Sequence, residues 1–291
     1  MPTPSPVARK VVTHNVVHLR AKPTNDSELV SQTLMGRTVQ VHKTREHWSL
    51  IETDDTYQGW VENRWLAGER PDLGPLVPVA AIFADMRRLP RPDAPLTLRL
   101  PIGAAVHVSP PRSLREEWAA VTLPDGDAHG WLHISVLPPR RRNAPETPPD
   151  LMGRAAANRA RDFLGTPYLW GGSSAFGLDC SGLVQLCYRL AGMTLRRDAN
   201  IQRDDPRFVP VSERELLPGD LVFFGKPDRI THVGLHFENS TFIHAAGGAG
   251  VIVTEWGDER YSPGFVDARR LDPDRAHEPV TAPPPDPDAA P

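Results

Sequence analysis

A chain of 291 residues, 40% hydrophobic and 24% charged, has the apolar material for a sizeable core and the length for two or three domains. Its formal net charge of −3 gives no general attraction to phosphate backbones or anionic lipid, so neither nucleic acid nor a membrane is an expected partner. The longest apolar run, LVPVAAIF from Leu76, is far short of the ~20 residues of a bilayer span.

The first six residues contain three prolines, and no apolar segment of signal-peptide type follows, so the expected location is cytoplasmic. From there the first half repeats itself. VVHLRAKP, ELVSQTLMGRTVQVH, HWSLIE and GWVENRWL are echoed by FADMRRLP, LTLRLPIGAAVHV, EWAAVT and GWLHISVL. Trp118 lies 70 residues after Trp48, and Trp131 lies 71 after Trp60. Short alternating apolar runs broken by Gly, Pro, Asp and Asn predict small antiparallel barrels. These units resemble bacterial SH3-like domains, and the resemblance places them at residues 10–69 and 76–138. For the four tryptophans, core packing is set against ligand stacking, with burial the expected role.

Prolines mark the seams: GERPDLGPLVP between the modules, LPPRRRNAPETPPD before a third domain, and AHEPVTAPPPDPDAAP at the end. The Arg140–Arg142 run reads as a solvated linker, and residues 273–291 read as a disordered tail.

The third domain, 150–272, opens with LMGRAAANRARDFLG, a helix predicted to end at Gly165 with Leu151, Ala155, Ala156 and Phe163 near one face. Leu183, Val184, Cys187, Leu190 and Ala191 then recur at helical spacing after Cys180, and Gly192 follows as a stop. Cys180 therefore stands at a helix start and Cys187 on the buried face. Seven residues apart on one helix, their Cα atoms are about 10 Å apart, too far for a disulfide. A thiol at a helix N-terminus is expected to have a lowered pKa, and the free N–H groups there suit an oxyanion.

A catalytic thiol requires a base. HVGLHF reads as a strand with His232, Gly234 and His236 on one face, and TFIHAA as the next strand. If a three-residue turn pairs Phe237 with Thr241, His244 falls opposite Gly234 and diagonal to His232, within mutual reach. A two-residue turn rotates His244 to the other face. One Cys and two His also match the donor set of some zinc sites, but no HExxH helix or paired CxxC motif supports a metal, so no cofactor is expected.

YLWGG, GLDCSGLVQ, LLPGDLVFF, HVGLHF and FIHA together resemble the NlpC-type cell-wall cysteine peptidases of the papain-like superfamily. The resemblance implies an α+β papain-like catalytic domain behind two small all-β SH3-like barrels, hence a multidomain chain. It implies Cys180 as nucleophile, His232 as general base and acid, His244 as the orienting third residue and Tyr168 as an oxyanion contact. Members with two such modules resemble γ-D-glutamyl-L-diamino acid endopeptidases that recycle murein peptides bearing a free N-terminal L-Ala. On that resemblance Asp179, with Glu28 and Tyr57 from the first module, meets the α-amine, Trp170 and Ser181 line the pocket, and Arg197 meets a carboxylate. The family often has a Ser just after that Arg, whereas this run is Arg197-Asp198-Ala199. Asp179 also has the standing of a helix N-cap. A general peptidoglycan endopeptidase and a non-catalytic wall-binding protein are the alternatives to this reading.

Overall fold

A computed structural model describes residues 8–109, 117–139 and 146–281. The Arg140–Arg142 run, the first seven residues and the last ten of the expected tail lie outside that range. No helix among the described residues is long and apolar enough to cross a membrane.

The first module is a seven-stranded antiparallel sheet. It comprises β1 (Ala8–Val12), β2 (Val16–Arg20), β3 (Leu29–Leu34), β4 (Thr38–Arg45), β5 (Trp48–Glu52), β6 (Gln58–Glu62) and β7 (Leu66–Ala67), in the order β3-β2-β6-β5-β4-β1-β7. The second sheet contains β8 (Leu76–Pro78), β9 (Phe83–Arg87), β10 (Leu96–Pro101), β11 (Ala105–Val108), β12 (Trp118–Thr122) and β13 (His129–His133), ordered β10-β9-β13-β12-β11-β8. Matched by position in the repeat, the two orders are the same for six strands.

Alternation decides which residues fill these sheets. Val12, Leu19, Ile51 and Val61 are fully buried in the first, and Met86, Leu100, Val106 and Leu132 in the second. Trp48, Trp60, Trp118 and Trp131 fall on the opposite parity and are only half-buried. The expected tryptophan core is therefore an aliphatic one. Each Trp instead flanks its neighbouring strand, as Trp60 does opposite Leu50 and Trp131 opposite Ala120.

Past the seam come α1 (Met152–Ala160), the short pair β14 (Ser173–Ser174) and β15 (Gly177–Leu178), α2 (Cys180–Leu190) and α3 (Ala199–Arg203). A six-stranded antiparallel sheet follows: β16 (Phe208–Val211), β17 (Leu221–Lys226), β18 (Arg229–His236), β19 (Thr241–Ala246), β20 (Gly250–Glu255) and β21 (Phe265–Leu271), in the order β16-β21-β17-β18-β19-β20. α1 buries Met152, Ala156, Ala157 and Ala160, while Leu151, expected on that face, is exposed. α2 packs Leu183, Val184 and Cys187 against Val233, Leu235 and Ile243 of the sheet.

The chain does not become a tail at 273. Pro273–Arg275 form a turn of 3-10 helix, Ala276 is buried, Arg207 donates to the Glu278 carbonyl, and Arg196 donates to the Thr281 hydroxyl. Buried guanidinium groups that need acceptors hold this segment in place.

The first module lies directly on the third domain. Ser173 N–H donates to the Gln32 side chain at 3.0 Å, and Gln185 donates to Asp55 at 2.6 Å. Arg189 pairs with Asp54, and Arg197 reaches Ser31 at 3.1 Å. Gly171, at φ +73°, makes this approach possible: a Cβ there would stand 2.3 Å from the Leu29 carbonyl oxygen.

Candidate active site

Cys180 is the first residue of α2, and Asp179 is its N-cap, accepting from Gly182 N–H at 2.7 Å. Gly182 is required in that first turn because a Cβ would sit 2.1 Å from the Gly172 carbonyl oxygen. The Cys180 sulfur faces the N–H groups of Val233 and Ser181. Burial, with Asp179 adding to it, nevertheless pushes the thiol up to about 11. The expectation of a lowered thiol pKa is thus reversed: desolvation outweighs the helix terminus, and the resting sulfur is a thiol. Cys187 is fully buried, as its helix position predicted.

The histidine register follows the three-residue turn. Phe237 N–H donates to the Thr241 carbonyl, and Leu235 pairs with Ile243 and His236 with Phe242, so His244 lies opposite Gly234 and diagonal to His232. The rings are perpendicular, 4.9 Å between centroids, with His232 Nε2 2.8 Å from His244 Nδ1. His244 Nε2 is in turn 2.8 Å from the hydroxyl of Thr254, itself buried on β20. If Thr254 accepts from His244 and His244 accepts from His232, the lone pair of His232 is on Nδ1, the nitrogen outside this chain. Burial lowers His232 to about 4, with Asp179 opposing, and burial and His232 lower His244 to about 3. Both imidazoles are neutral at pH 7. His236, on the same face, is buried with Nδ1 lacking a partner among the described residues and belongs to the sheet rather than to this pair.

A cleft of about 510 Å³ runs past Cys180. Tyr168, bridged to Leu178, lines it beside the sulfur, with its hydroxyl raised to about 12 by burial and by the thiol and Asp179 nearby. Its lining includes Glu28 and Tyr57 of the first module and Trp170, Asp179, Ser181, Asp198, Arg229 and Thr231 of the catalytic domain. Trp170, 62% exposed, donates its indole N–H to Glu28 at 2.8 Å. Tyr57 is hydrogen-bonded to Asp198, and burial raises the pKa of both.

Two of the expected substrate contacts, Arg197 and Asp179, have partners within the protein. Arg197 is 0% exposed and forks onto Asp179 at 2.6 and 3.0 Å, with further bonds to Ser181 and Ser31. Burial works against its charge, but Asp179 outweighs that and raises the guanidinium pKa. Its donors thus have acceptors within the protein. Asp179 is equally occupied, since Gly171 and Gly182 N–H, Ser181 and Arg197 share its two oxygens. The acids with remaining capacity are Glu28 and Asp198, and the cation in the lining is Arg229, exposed and without an ion pair among the described residues. Asp198 was legible only as a departure from a pattern, and Thr254 had no sequence signal because its place depends on the β19–β20 register, in which His244 faces Ile252.

A thiol heading a helix, packed on a sheet that supplies an imidazole steadied by a second side chain, is the layout of a papain-like thiol hydrolase. Comparison with known proteins makes this specific. Residues 165–270 match the NlpC/P60 family and residues 19–66 the bacterial dipeptidyl-peptidase SH3 domain. The chain carries an NlpC/P60 cysteine peptidase domain with a bacterial SH3 domain ahead of it. It is 28% identical to dipeptidyl-peptidase 6 of Lysinibacillus sphaericus over 86% of this chain and 92% of that one. It is 26% identical to the gamma-D-glutamyl-L-lysine dipeptidyl-peptidase of Bacillus cereus over 76% and 68%. The fold matches the crystal structure of an NlpC/P60 family protein from Bacillus cereus with a TM-score of 0.75, 22% identity and coverage of 91% and 99%. Its relatives are dipeptidyl-peptidases and murein endopeptidases, and its activity is that of a cell-wall peptidase.

Proposed function

We propose that this peptidase hydrolyses the γ-D-glutamyl to diamino acid bond of murein peptides that carry a free N-terminal L-Ala, in cell-wall peptide recycling. The observation that carries the reading is that Glu28 and Tyr57 of the first module and Asp198 of the catalytic domain line the same cleft as Cys180. An ammonium group there finds carboxylate partners, whereas an L-Ala amide-linked to a sugar lactyl group brings no charge to pair with them. The name of the Bacillus cereus relative supports the same bond. The second sheet, with its repeated strand order, is on this reading a second SH3-like barrel, residues 76–138.

His232 Nδ1 takes the thiol proton as Cys180 Sγ attacks the γ-carbonyl carbon, and Tyr168 with the N–H groups at the start of α2 faces the oxyanion. Collapse breaks the C–N bond, and His232 returns the proton to the leaving amine. Water, activated by the same imidazole, hydrolyses the thioester and frees L-Ala-D-Glu. His244 and Thr254 hold the imidazole in the tautomer that accepts at Nδ1. Arg229 is the cation available to the D-glutamyl carboxylate.

The test is mass spectrometry of products from L-Ala-γ-D-Glu-diamino acid peptides, free, N-acetylated and sugar-linked. Free peptides should yield L-Ala-D-Glu, blocked ones should fall about 10- to 100-fold in kcat/KM, the scale of a lost charge-assisted hydrogen bond, and Cys180→Ala should be inactive. Efficient release of peptides from intact sacculi by the wild type refutes the recycling assignment in favour of a general wall endopeptidase.

A further inference from the structure

One loop brings an aromatic ring against both histidines. Between β20 and β21 the chain runs Trp256-Gly257-Asp258-Glu259-Arg260-Tyr261-Ser262-Pro263-Gly264, and it is shaped by its own hydrogen bonds. Tyr261 N–H donates to the Asp258 carbonyl at 3.0 Å, Gly264 N–H to the Tyr261 carbonyl at 2.9 Å, and Arg260 forks onto the Asp258 carboxylate at 3.0 and 2.8 Å. From this frame the Tyr261 ring stacks on His232 at 5.6 Å and 30°, and meets His244 edge-on at 4.7 Å and 77°. Phe242 stacks on His244 at 4.7 Å and Phe224 lies 5.9 Å from His232, so the pair is enclosed by three aromatic rings. The Tyr261 hydroxyl makes no hydrogen bond among the described residues, which leaves the ring as the working part.

We propose that Tyr261 is a positioning residue for the reaction: its ring covers the His232–His244 pair, keeps their planes perpendicular and excludes water from the imidazole that serves as base. The inference rests on the assignment of His232 as that base. Two of the three covering rings belong to the sheet core, whereas Tyr261 comes from a loop outside it, so it is the one that can be removed without hollowing the core. Removing water from an imidazole disfavours the cation, and burial is indeed the first cause of the low His232 pKa. The charged and titratable groups facing the pair are few. Asp179 comes from the N-cap of α2, and Asp258 and Arg260 from the loop, the last two bonded to each other. β20 contributes the neutral Thr254 and β17 the apolar Phe224.

The test is the pH profile of kcat/KM together with the NMR titration of the His232 imidazole, in the wild type, Tyr261→Phe and Tyr261→Ala. The neutral base is lost as pH falls through its pKa, so the wild-type acid limb is expected near 4. Tyr261→Ala should raise both the limb and the imidazole titration toward the ordinary value of 6.5. A full return lowers activity at pH 5 by roughly 30-fold against little change at pH 8. Tyr261→Phe should keep the wild-type profile; should the alanine variant fail to fold, Tyr261→Ser, small and hydrated, replaces it with the same direction of shift. An unmoved limb and titration in the Ala or Ser variant, or a Phe variant that shifts as far, overturns the inference. His232→Ala with full activity would instead overturn the base assignment beneath it, and the imidazole titration would still decide what the Tyr261 ring does.

Discussion

The histidine pair and the acidic part of the cleft lining are built by different means. The histidine pair is made within adjacent strands: His232, His244 and Thr254 come from β18, β19 and β20, and their order in the relay follows from strand register. The acidic lining is assembled across domains, with Glu28 and Tyr57 carried in on the first module and Asp179 and Asp198 standing on the catalytic domain. On the proposed function the same division separates the chemistry from the choice of substrate. A register is fixed by backbone pairing and changes only in steps that turn a side chain to the other face, whereas a domain contact is a set of side-chain bonds that substitutions can retune one at a time.

The strongest challenge to that division is Asp179, which belongs to both parts as helix cap and as partner of the buried Arg197. Asp179→Ala leaves the guanidinium without its counter-charge, so a loss of about 3–5 kcal/mol in unfolding free energy is expected in denaturant titration. Asp179→Ala combined with Arg197→Met should recover much of that stability, because an apolar replacement removes the stranded charge together with its partner. A single variant as stable as the wild type would mean that the pair does not anchor the start of α2.

A sharper separation comes from Glu28→Gln. The Trp170 bond survives in an amide oxygen while the negative charge is lost, so KM for free peptides should rise roughly tenfold or more, the scale of a charge-assisted hydrogen bond. kcat should hold. A fall in kcat at constant KM would place Glu28 with the chemistry and dissolve the contrast between the two parts of the site. The smallest effect is expected at the far end of the relay: Thr254→Val removes one buried hydrogen bond to His244 and should lower kcat by about 2- to 10-fold without moving KM, checked by steady-state kinetics.

Much of the fold and part of the site were legible in the chain itself. The Trp48/Trp118 repeat marked two β modules, and the break from a Gly-rich approach to helical spacing at Cys180 marked the start of α2. The alternation of HVGLHF and FIHA put His232 and His244 on one face once the turn length was chosen. These are local signals, carried by residue spacing and by periods of 3.6 and 2 that any packing must respect. Tertiary structure decided what such periods do not encode. It turned the tryptophans outward because the opposite parity was already aliphatic. It raised the thiol pKa because burial under the sheet outweighs the helix terminus. It paired Arg197 with Asp179, and it brought Thr254 and Tyr261 to the histidines from segments whose approach depends on register and loop geometry. Burial, charge pairing between distant segments and the meeting of domains are properties of the assembled volume, and a one-dimensional pattern has no coordinate for them.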